Sequence, residues 1–160
     1  MREDAEMLEQ DSLTVELRRR RIGDMAVELM SRGDMITVIA GSKSIRGLLT
    51  FARGRLAALT VAGDTVDVNL RSGVALHVDK RATAGGVSPR PGPRTLRARL
   101  LEYEVANVGV ELWAPAHDVE VAGSIGAVGR DHLVVIDHEN TEWVIMLNDI
   151  AWVRPLGQTD

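Results

Sequence analysis

The chain has 160 residues, of which 45% are apolar and 26% charged, as in an ordinary globular protein. This length suits one compact domain or two very small ones. The absence of cysteine excludes disulfides, thiolate nucleophiles and cysteine-based zinc sites. No apolar run approaches the roughly 18 residues of a membrane span, and the acidic first residues lack the features of a secretion signal. We therefore expect a cytoplasmic protein.

Charge is strongly segregated along the chain. Residues 1–17 carry a net charge of −5, residues 18–100 one of +10 and residues 101–160 one of −9, which gives −4 in total. Asymmetry on this scale affects partners and association more than fold. The basic part could bind a polyanion, or the acidic parts could cover it within the molecule or in a dimer.

The first predicted element is a helix that follows an acidic tail, residues 1–13. Its apolar residues recur at helical spacing: Val15, Ile22, Met25, Ala26, Leu29 and Met30. Gly33 supplies a stop, and the run Arg18–Arg21 is expected to lie on this helix. Five strand-like segments separated by turn formers follow it: MITVIAG, SIRGLLTFA, RLAALTVAG, DTVDVNL and GVALHVD.

A basic stretch rich in proline and glycine, residues 79–94, indicates a linker or long loop. A second helix is predicted after Pro93, from four apolar residues at helical spacing: Leu96, Leu100, Leu101 and Val105. Five more strand-like segments come next: VGVELWA, EVAGSIGAV, HLVVIDH, TEWVIML and DIAWVRP. Residues 156–160 form a C-terminal tail.

The two halves match as a repeat of low identity. Gly47 falls on Gly123 and Leu49 on Ile125, and one residue added in the next turn brings further pairs into register. These pairs are Leu56 with Leu133, Leu59 with Ile136, Val68 with Ile145, Leu70 with Leu147, Ala75 with Ala151 and Leu76 with Trp152. Glycine inside a long strand permits a sharp bend and the close approach of another backbone. We expect one unit of a helix and five strands in residues 14–78 and another in 95–155.

A helix followed by five short strands, with glycine inside the second, resembles the Sm-like fold. IRGLLTFARGRLAALTV and VAGSIGAVGRDHLVVID both resemble the hairpin of its second and third strands. The chain is also similar to small proteins of high-GC Gram-positive bacteria that carry such strands. The resemblance implies a mainly β protein with two or three helices and two tandem five-stranded small barrels, each preceded by an α-helix. The Asp/Asn pair, Arg-Gly turn and Lys-His of its RNA-binding members are not matched, so their uridine pocket is not expected.

Two Asp-His pairs flank the apolar run Leu133–Ile136. Asp131-His132 and Asp137-His138 suggest a metal site, but strand alternation places each Asp and its His on opposite faces. The two histidines would lie about 20 Å apart in a strand, too far for one metal ion with nitrogen ligands at about 2 Å. We therefore interpret the pairs as the polar ends of one strand.

Other catalytic signatures are not found. The sequence has no nucleophile elbow, phosphate loop or HExxH pattern. His117-Asp118 lies in a predicted turn from which it could approach His132 or His138, and His77 is expected to be partly buried. We expect no enzyme, no cofactor and no metal, with a metal-dependent hydrolase as a third and weakest possibility.

Four aromatic residues of the second half are Tyr103, Trp113, Trp143 and Trp152. Their strand patterns place them in the core or between the two units. An exposed tryptophan would instead mark a partner site.

Basic residues able to contact phosphates are concentrated in the first half and the linker. The candidates for contact with nucleic acid or a partner are Arg18, Arg19, Arg20, Arg21, Lys43, Arg46, Arg53, Arg55, Arg90 and Arg94. Phe51 is the only aromatic residue of the first half, which favours contact with a nucleic-acid backbone over base stacking.

The sequence as a whole favours non-catalytic binding. The leading hypothesis is an interaction or regulatory module that binds a protein partner or self-assembles. The alternative is an RNA- or DNA-binding protein that uses the arginine-rich first half and linker. Neither a membrane nor a small-molecule substrate is indicated as a partner.

Overall fold

The computed structural model describes Val15 and residues 18–158, and these form a mainly β protein, as predicted. Two α-helices each precede a set of five strands: α1 is Ile22–Arg32 and α2 is Leu96–Val105. The first set is β1 Met35–Ala40, β2 Lys43–Arg53, β3 Leu56–Val61, β4 Asp64–Asn69 and β5 Ala75–Lys80. The second set is β6 Val108–Ala114, β7 Val119–Val128, β8 His132–Ile136, β9 Glu142–Met146 and β10 Trp152–Gln158. No helix in this part of the chain is long and apolar enough to cross a membrane.

Helix α1 begins later than the sequence pattern predicts. Arg21 has an extended backbone, and its N–H donates to the carboxylate of Asp24 at 2.9 Å. Residues 18–21 therefore precede α1 instead of lying on it. Arg18 and Arg19 are helical, but Arg20 and Arg21 separate them from α1. The helix ends as predicted at Gly33, whose φ of 80° is a left-handed conformation that glycine adopts readily.

All ten strands belong to one antiparallel sheet in the order β5-β1-β2-β3-β4-β10-β6-β7-β8-β9. The prediction of two separate five-stranded barrels is wrong. The two sets join where β10 pairs with β4, with Trp152 opposite Val68 and Val153 opposite Asp67. Separate sheets would leave these edges of β4 and β10 unpaired, and the pairing satisfies N–H and C=O groups of the residues that meet there. The sheet is open, and β5 and β9 are its edges.

The strand order β5-β1-β2-β3-β4 has a counterpart in β10-β6-β7-β8-β9. In the first set Leu49 lies opposite Leu59, and in the second Ile125 lies opposite Val135. Leu59 therefore has the position of Val135, one residue before the predicted match. The additional residue of the second set lies in the β8–β9 turn, residues 137–141, and not in the turn before β8.

The glycines inside the two longest strands are required by the approach of a neighbouring strand. A Cβ atom on Gly47 would lie 2.1 Å from the carbonyl oxygen of Thr60, and one on Gly123 would lie 2.1 Å from that of Ile136. Real Cβ atoms essentially never come this close to another heavy atom. Glycine is therefore needed at both positions for β2 and β7 to keep their pairing.

Each set of strands depends on residues of the other for its core. The core beneath α1, where Leu29 and Met30 are buried, also contains Trp113 and Trp152 from the second set. The core beneath α2 likewise contains Phe51 from the first set. Burying one such side chain stabilises the fold by about 1.5–3 kcal/mol. Because these residues are shared, neither half buries its apolar surface alone, which explains why one sheet forms.

Polar groups at the junction of the two sets are also buried. The amide nitrogen of Asn69 donates to the carbonyl oxygens of Leu147 and Ile150, at 3.0 and 2.9 Å. Asp67 accepts a hydrogen bond from the Tyr103 hydroxyl, and the Nε of Arg99 lies 3.3 Å from its carboxylate without hydrogen-bond alignment. Burial raises the pKa of Asp67 despite these partners. Because both sets contribute to these contacts, they hold the halves in one register.

The predicted linker begins after β5 and is bound to the first half along its length. In residues 81–94, which contain neither helix nor strand, the N–H of Ala82 donates to Asp34 and that of Val87 to the carbonyl of Met30. Near its end, the Arg53 side chain donates to the carbonyl of Gly92 at 2.8 Å. These bonds place the start of α2 beside the β2–β3 turn.

Candidate anion-binding cleft

A cleft of about 1150 Å³ lies where both helices begin. It is formed by the start of α1, the β2–β3 turn, the segment after β4, the start of α2 and a 3₁₀ helix that follows β9. The lining residues are Arg21, Ile22, Gly23, Asp24, Val27, Gly54, Arg55, Leu70, Arg71, Arg94, Thr95 and Asn148. We call this site the arginine cleft, after Arg21, Arg55, Arg71 and Arg94.

Backbone hydrogen bonds bring three of these arginines together from distant parts of the sequence. The N–H of Arg55 donates to the carbonyl of Arg94 at 2.9 Å, and the carbonyl of Arg55 accepts from the N–H of Leu70 at 3.0 Å. The next residue, Arg71, donates its own N–H to the side-chain oxygen of Asn69 at 3.1 Å. The positions of the three arginines are therefore fixed by the main chain.

The start of α1 completes the cleft because it packs directly on the β2–β3 turn. A Cβ atom on Gly23 would lie 2.1 Å from the carbonyl oxygen of Gly54, so only glycine allows this approach. Gly54 itself packs on Arg94, the second residue before α2. The N-termini of both helices thus meet at one hairpin turn.

Among the described residues, four arginines and one acid line the cleft, which leaves it a net positive charge. All four arginines are exposed, and none forms an ion pair with any residue that the structure describes. The one acid of the lining, Asp24, accepts the backbone N–H of Arg21. The first N–H groups of a helix lack intrahelical acceptors and carry a partial positive charge, which adds to that of the guanidinium groups. Such an arrangement favours binding of an anion.

The predicted run Arg18–Arg21 is only partly available to the cleft. Arg21 lines it, whereas Arg18 and Arg19 are exposed ahead of it. Arg20 forms an ion pair with Glu28 of α1. Acidic residues of the described chain thus neutralise one of these four arginines.

The remaining predicted contact residues outside the cleft have partners. Lys43 pairs with Glu120, and Arg46 with Asp79. Arg53 and Arg90 donate to main-chain carbonyls, and the guanidinium of Arg90 lies 5.9 Å from the centre of the Phe51 ring. Of the ten predicted residues, the cleft contains Arg21, Arg55 and Arg94.

Arg71 belongs to the cleft but was not among the residues predicted from the sequence. It lies in the turn between β4 and β5, within NLRSG, where small residues and glycine make an arginine side chain accessible. That turn signal could have marked it as exposed. Its nearness to Arg55 depends on strand pairing and has no signal in the sequence.

The interpretation of the Asp-His pairs as strand ends is confirmed. His132 begins β8, and Asp137 and His138 lie in the turn that follows it. Asp137 accepts hydrogen bonds from the hydroxyl of Thr141 and the ring N–H of Trp143, which lower its pKa. Asp137 therefore stabilises a turn. Among residues 18–158 the structure has no group of three acidic or histidine side chains placed to hold a metal ion.

Other predicted side-chain positions had mixed outcomes. Trp113 and Trp152 are buried as predicted, but Trp143 is 39% exposed on the edge strand β9. The prediction that His77 is partly buried is wrong, because it lies exposed on the other edge strand and contacts Asp79. These two errors share a cause, since the sequence did not predict which strands form the edges.

A second, smaller groove of about 440 Å³ lies at the junction of the two strand sets. Its floor includes Trp113 and Trp152, and its charged side chains are paired with one another, as in the contact between Arg154 and Glu111 at 2.6 Å. The groove therefore differs from the arginine cleft, whose cations have no such partners.

Comparisons with protein-family models, with curated proteins and with solved structures found no match.

Proposed function

We propose that this protein is a non-catalytic binding module of the cytoplasm that holds RNA or DNA by its phosphate groups in the arginine cleft. The observation that carries the proposal is the meeting of the N-termini of two helices at one cleft with four arginines that form no ion pair with any described residue. Guanidinium groups form bidentate hydrogen bonds with phosphate, and helix N-termini offer free N–H groups.

The lining of the cleft favours recognition of the sugar-phosphate backbone over recognition of bases. It includes no phenylalanine, tyrosine or tryptophan among the described residues, so it offers no aromatic surface for base stacking. The nearest aromatic side chain of the first half, Phe51, is buried. We therefore expect binding with little sequence preference and a steep dependence on salt.

The test is a salt titration of binding to mixed-sequence single-stranded RNA and DNA, followed by fluorescence anisotropy. If four phosphates are neutralised, the logarithm of affinity should fall with the logarithm of salt with a slope of about −3. Arg71→Gln should reduce that slope by about 0.7. Arg130→Gln is the matched control, because Arg130 is an exposed arginine of the second half that lies outside the cleft. No binding at low salt would remove the proposal.

Protein interaction or self-assembly is a second candidate, supported by the edge strand β9. Trp143, Val144 and Met146 are exposed there by 39%, 65% and 47%. An edge strand with apolar side chains and free N–H and C=O groups can add a strand from another chain. Sedimentation of the wild type and Val144→Lys tests this role: a wild type that stays monomeric at high concentration excludes self-assembly through this edge.

A further inference from the structure

We infer that the arginine cleft recognises a terminal phosphate group, the phosphomonoester at the end of a nucleic-acid strand or the phosphate of a free nucleotide, in preference to internal phosphodiesters. This inference rests on the proposed function and specifies which phosphate the cleft takes. It follows from the concentration of charge, from the side chains around the cleft and from its size.

The charge of the cleft comes from four arginines that line a single cavity. Arg55 lies between the starts of the two helices, with Arg21 before one of them, Arg94 before the other and Arg71 on the adjoining turn. Internal phosphodiesters spread their charge along a strand, one for about every 3.4 Å of its axis. A phosphomonoester carries a charge of about −1.5 to −2 and three acceptor oxygens on a single phosphate group. Four guanidinium groups in one cleft therefore suit a phosphomonoester better than they suit a row of phosphodiesters, each of which carries a single charge.

The basic side chains of β2 that could extend the cleft into a track along a strand are engaged elsewhere. Lys43 and Arg46 of β2 form ion pairs with Glu120 and Asp79. Arg53, which ends the same strand, donates to a main-chain carbonyl of the linker. A strand that left the cleft along β2 would therefore meet cations that are already neutralised or bound.

The size and neutral groups of the cleft also suit a nucleotide at its end. Its volume of about 1150 Å³ exceeds what a single phosphate needs and is enough for a nucleoside attached to it. The exposed amide of Asn148 supplies a neutral hydrogen-bonding group for a sugar or base, and the Thr95 hydroxyl, which accepts the N–H of Ala98, can still donate. The cleft can thus enclose the last nucleotide of a strand with its phosphate against the arginines.

The test compares one labelled single-stranded oligonucleotide in three forms: with a 5′-phosphate, with a 3′-phosphate and with hydroxyl groups at both ends. Binding is measured by anisotropy at one salt concentration, with a nucleoside triphosphate as competitor. We expect one phosphorylated form to bind at least about tenfold more tightly than the hydroxyl form, and the nucleotide to compete. Arg55→Gln should remove this difference, and Arg130→Gln should retain it. Thermal unfolding of both variants establishes that they are folded.

The outcomes separate the two proposals. Equal affinity for all three oligonucleotides overturns the inference while the proposed function stands. If no oligonucleotide binds but the nucleoside triphosphate does, and Arg55→Gln abolishes that binding, the inference stands with a free nucleotide as ligand and the proposed function falls. If neither the oligonucleotides nor the nucleotide bind, both are overturned.

Discussion

The β2–β3 turn and the β7–β8 turn have the same place in their strand sets but differ in charge: Gly54 and Arg55 give the first a charge of +1, whereas Arg130 and Asp131 leave the second neutral. Arg53 lies opposite Leu56 across the first turn, which leaves Gly54 and Arg55 to form it. In the second, the N–H of Gly129 donates to the carbonyl of His132 at 2.8 Å, which leaves residues 130 and 131. Arg55 therefore has the position that Asp131 has in the other turn.

The surroundings of the two turns explain why this difference matters. The first turn contacts the start of both helices, whereas the second lies along α2: Arg97 in the first turn of that helix donates to the carbonyl of Gly129, and Glu104 near its end accepts from the N–H of Val128. Acidic residues are stabilising near a helix N-terminus and basic ones are not. Arg55 beside two N-termini breaks this local preference, and such exceptions are expected at functional sites. The comparison thus supports anion binding at the first turn and none at the second.

The largest difference between the turns should appear when a methyl group is added to each. Gly54 has a φ of 59°, and a Cβ on it would lie 2.8 Å from the carbonyl oxygen of Arg94. Gly54→Ala should therefore cost about 3 kcal/mol in the free energy of unfolding, from backbone strain and the shift of α2. Gly129→Ala should cost less, about 1 kcal/mol, because the nearest atoms to its Cβ are those of the His132 ring, which can shift with loss of its contact to Asp131.

Urea unfolding of both variants followed by circular dichroism measures this difference. Equal losses of stability would mean that the helix starts do not confine the first turn, contrary to its packing in the structure. Gly54→Ala should also weaken phosphate binding, since it displaces Arg94 from Arg55.

The order and spacing of the strands could be predicted from alternation of apolar residues, and Gly47 and Gly123 marked where strands approach closely. The pairing of β4 with β10 could not be predicted from the sequence. The residues that pair there, such as Val68 and Trp152, resemble those of any other half-buried strand. Which strands are paired and which are edges is decided by how both cores are shared. That information is spread over the whole chain, so no local pattern contains it.

The candidate site was predictable in composition but not in geometry. Arg21, Arg55 and Arg94 were identified from charge alone, together with seven basic residues that lie outside the cleft. Arg46 illustrates why: its partner, Asp79, is 33 residues away and meets it only through the sheet. A charge pattern predicts that cations are exposed but not which of them an acid neutralises.

Exchanging the charges at the matched positions, Arg55 and Asp131, tests whether phosphate binding requires the surroundings of the first turn or only an arginine at this position. Arg55→Asp should weaken phosphate binding by at least about thirtyfold, or about 2 kcal/mol, while the fold remains stable because an acid suits the helix N-termini. Asp131→Arg should bring no new phosphate binding, since the second turn lies outside the cleft and lacks its other three arginines. Anisotropy with the phosphorylated oligonucleotide measures both. A gain of affinity in Asp131→Arg would indicate nonspecific attraction by net charge.

The acid of the second turn should give stability a pH dependence that the first turn lacks. A hydrogen bond with His132 lowers the pKa of Asp131, so its contribution is present above about pH 4 and is lost as the pH falls through the lowered pKa. Asp131→Asn should therefore lower the melting temperature at neutral pH. The difference in melting temperature from the wild type should become smaller as the pH falls. Arg55→Gln serves as the comparison, because arginine stays charged over this range. A constant effect of Asp131→Asn between about pH 7 and pH 3 would contradict the role of its charge.

The smallest of the expected effects concerns Lys43, a basic residue that has an ion-pair partner, in contrast to Arg55, which has none among the described residues. Lys43 pairs with Glu120, and its ammonium lies 4.6 Å from the centre of the Trp113 ring. Because both charged side chains are well exposed, Lys43→Gln should lower stability by only about 0.5–1 kcal/mol. It should change phosphate affinity by less than about twofold, since its charge is already neutralised. Arg55→Gln should show the reverse, with little change in unfolding and a clear loss of binding. If both variants lose affinity equally, binding depends on total charge and the cleft has no special place in it.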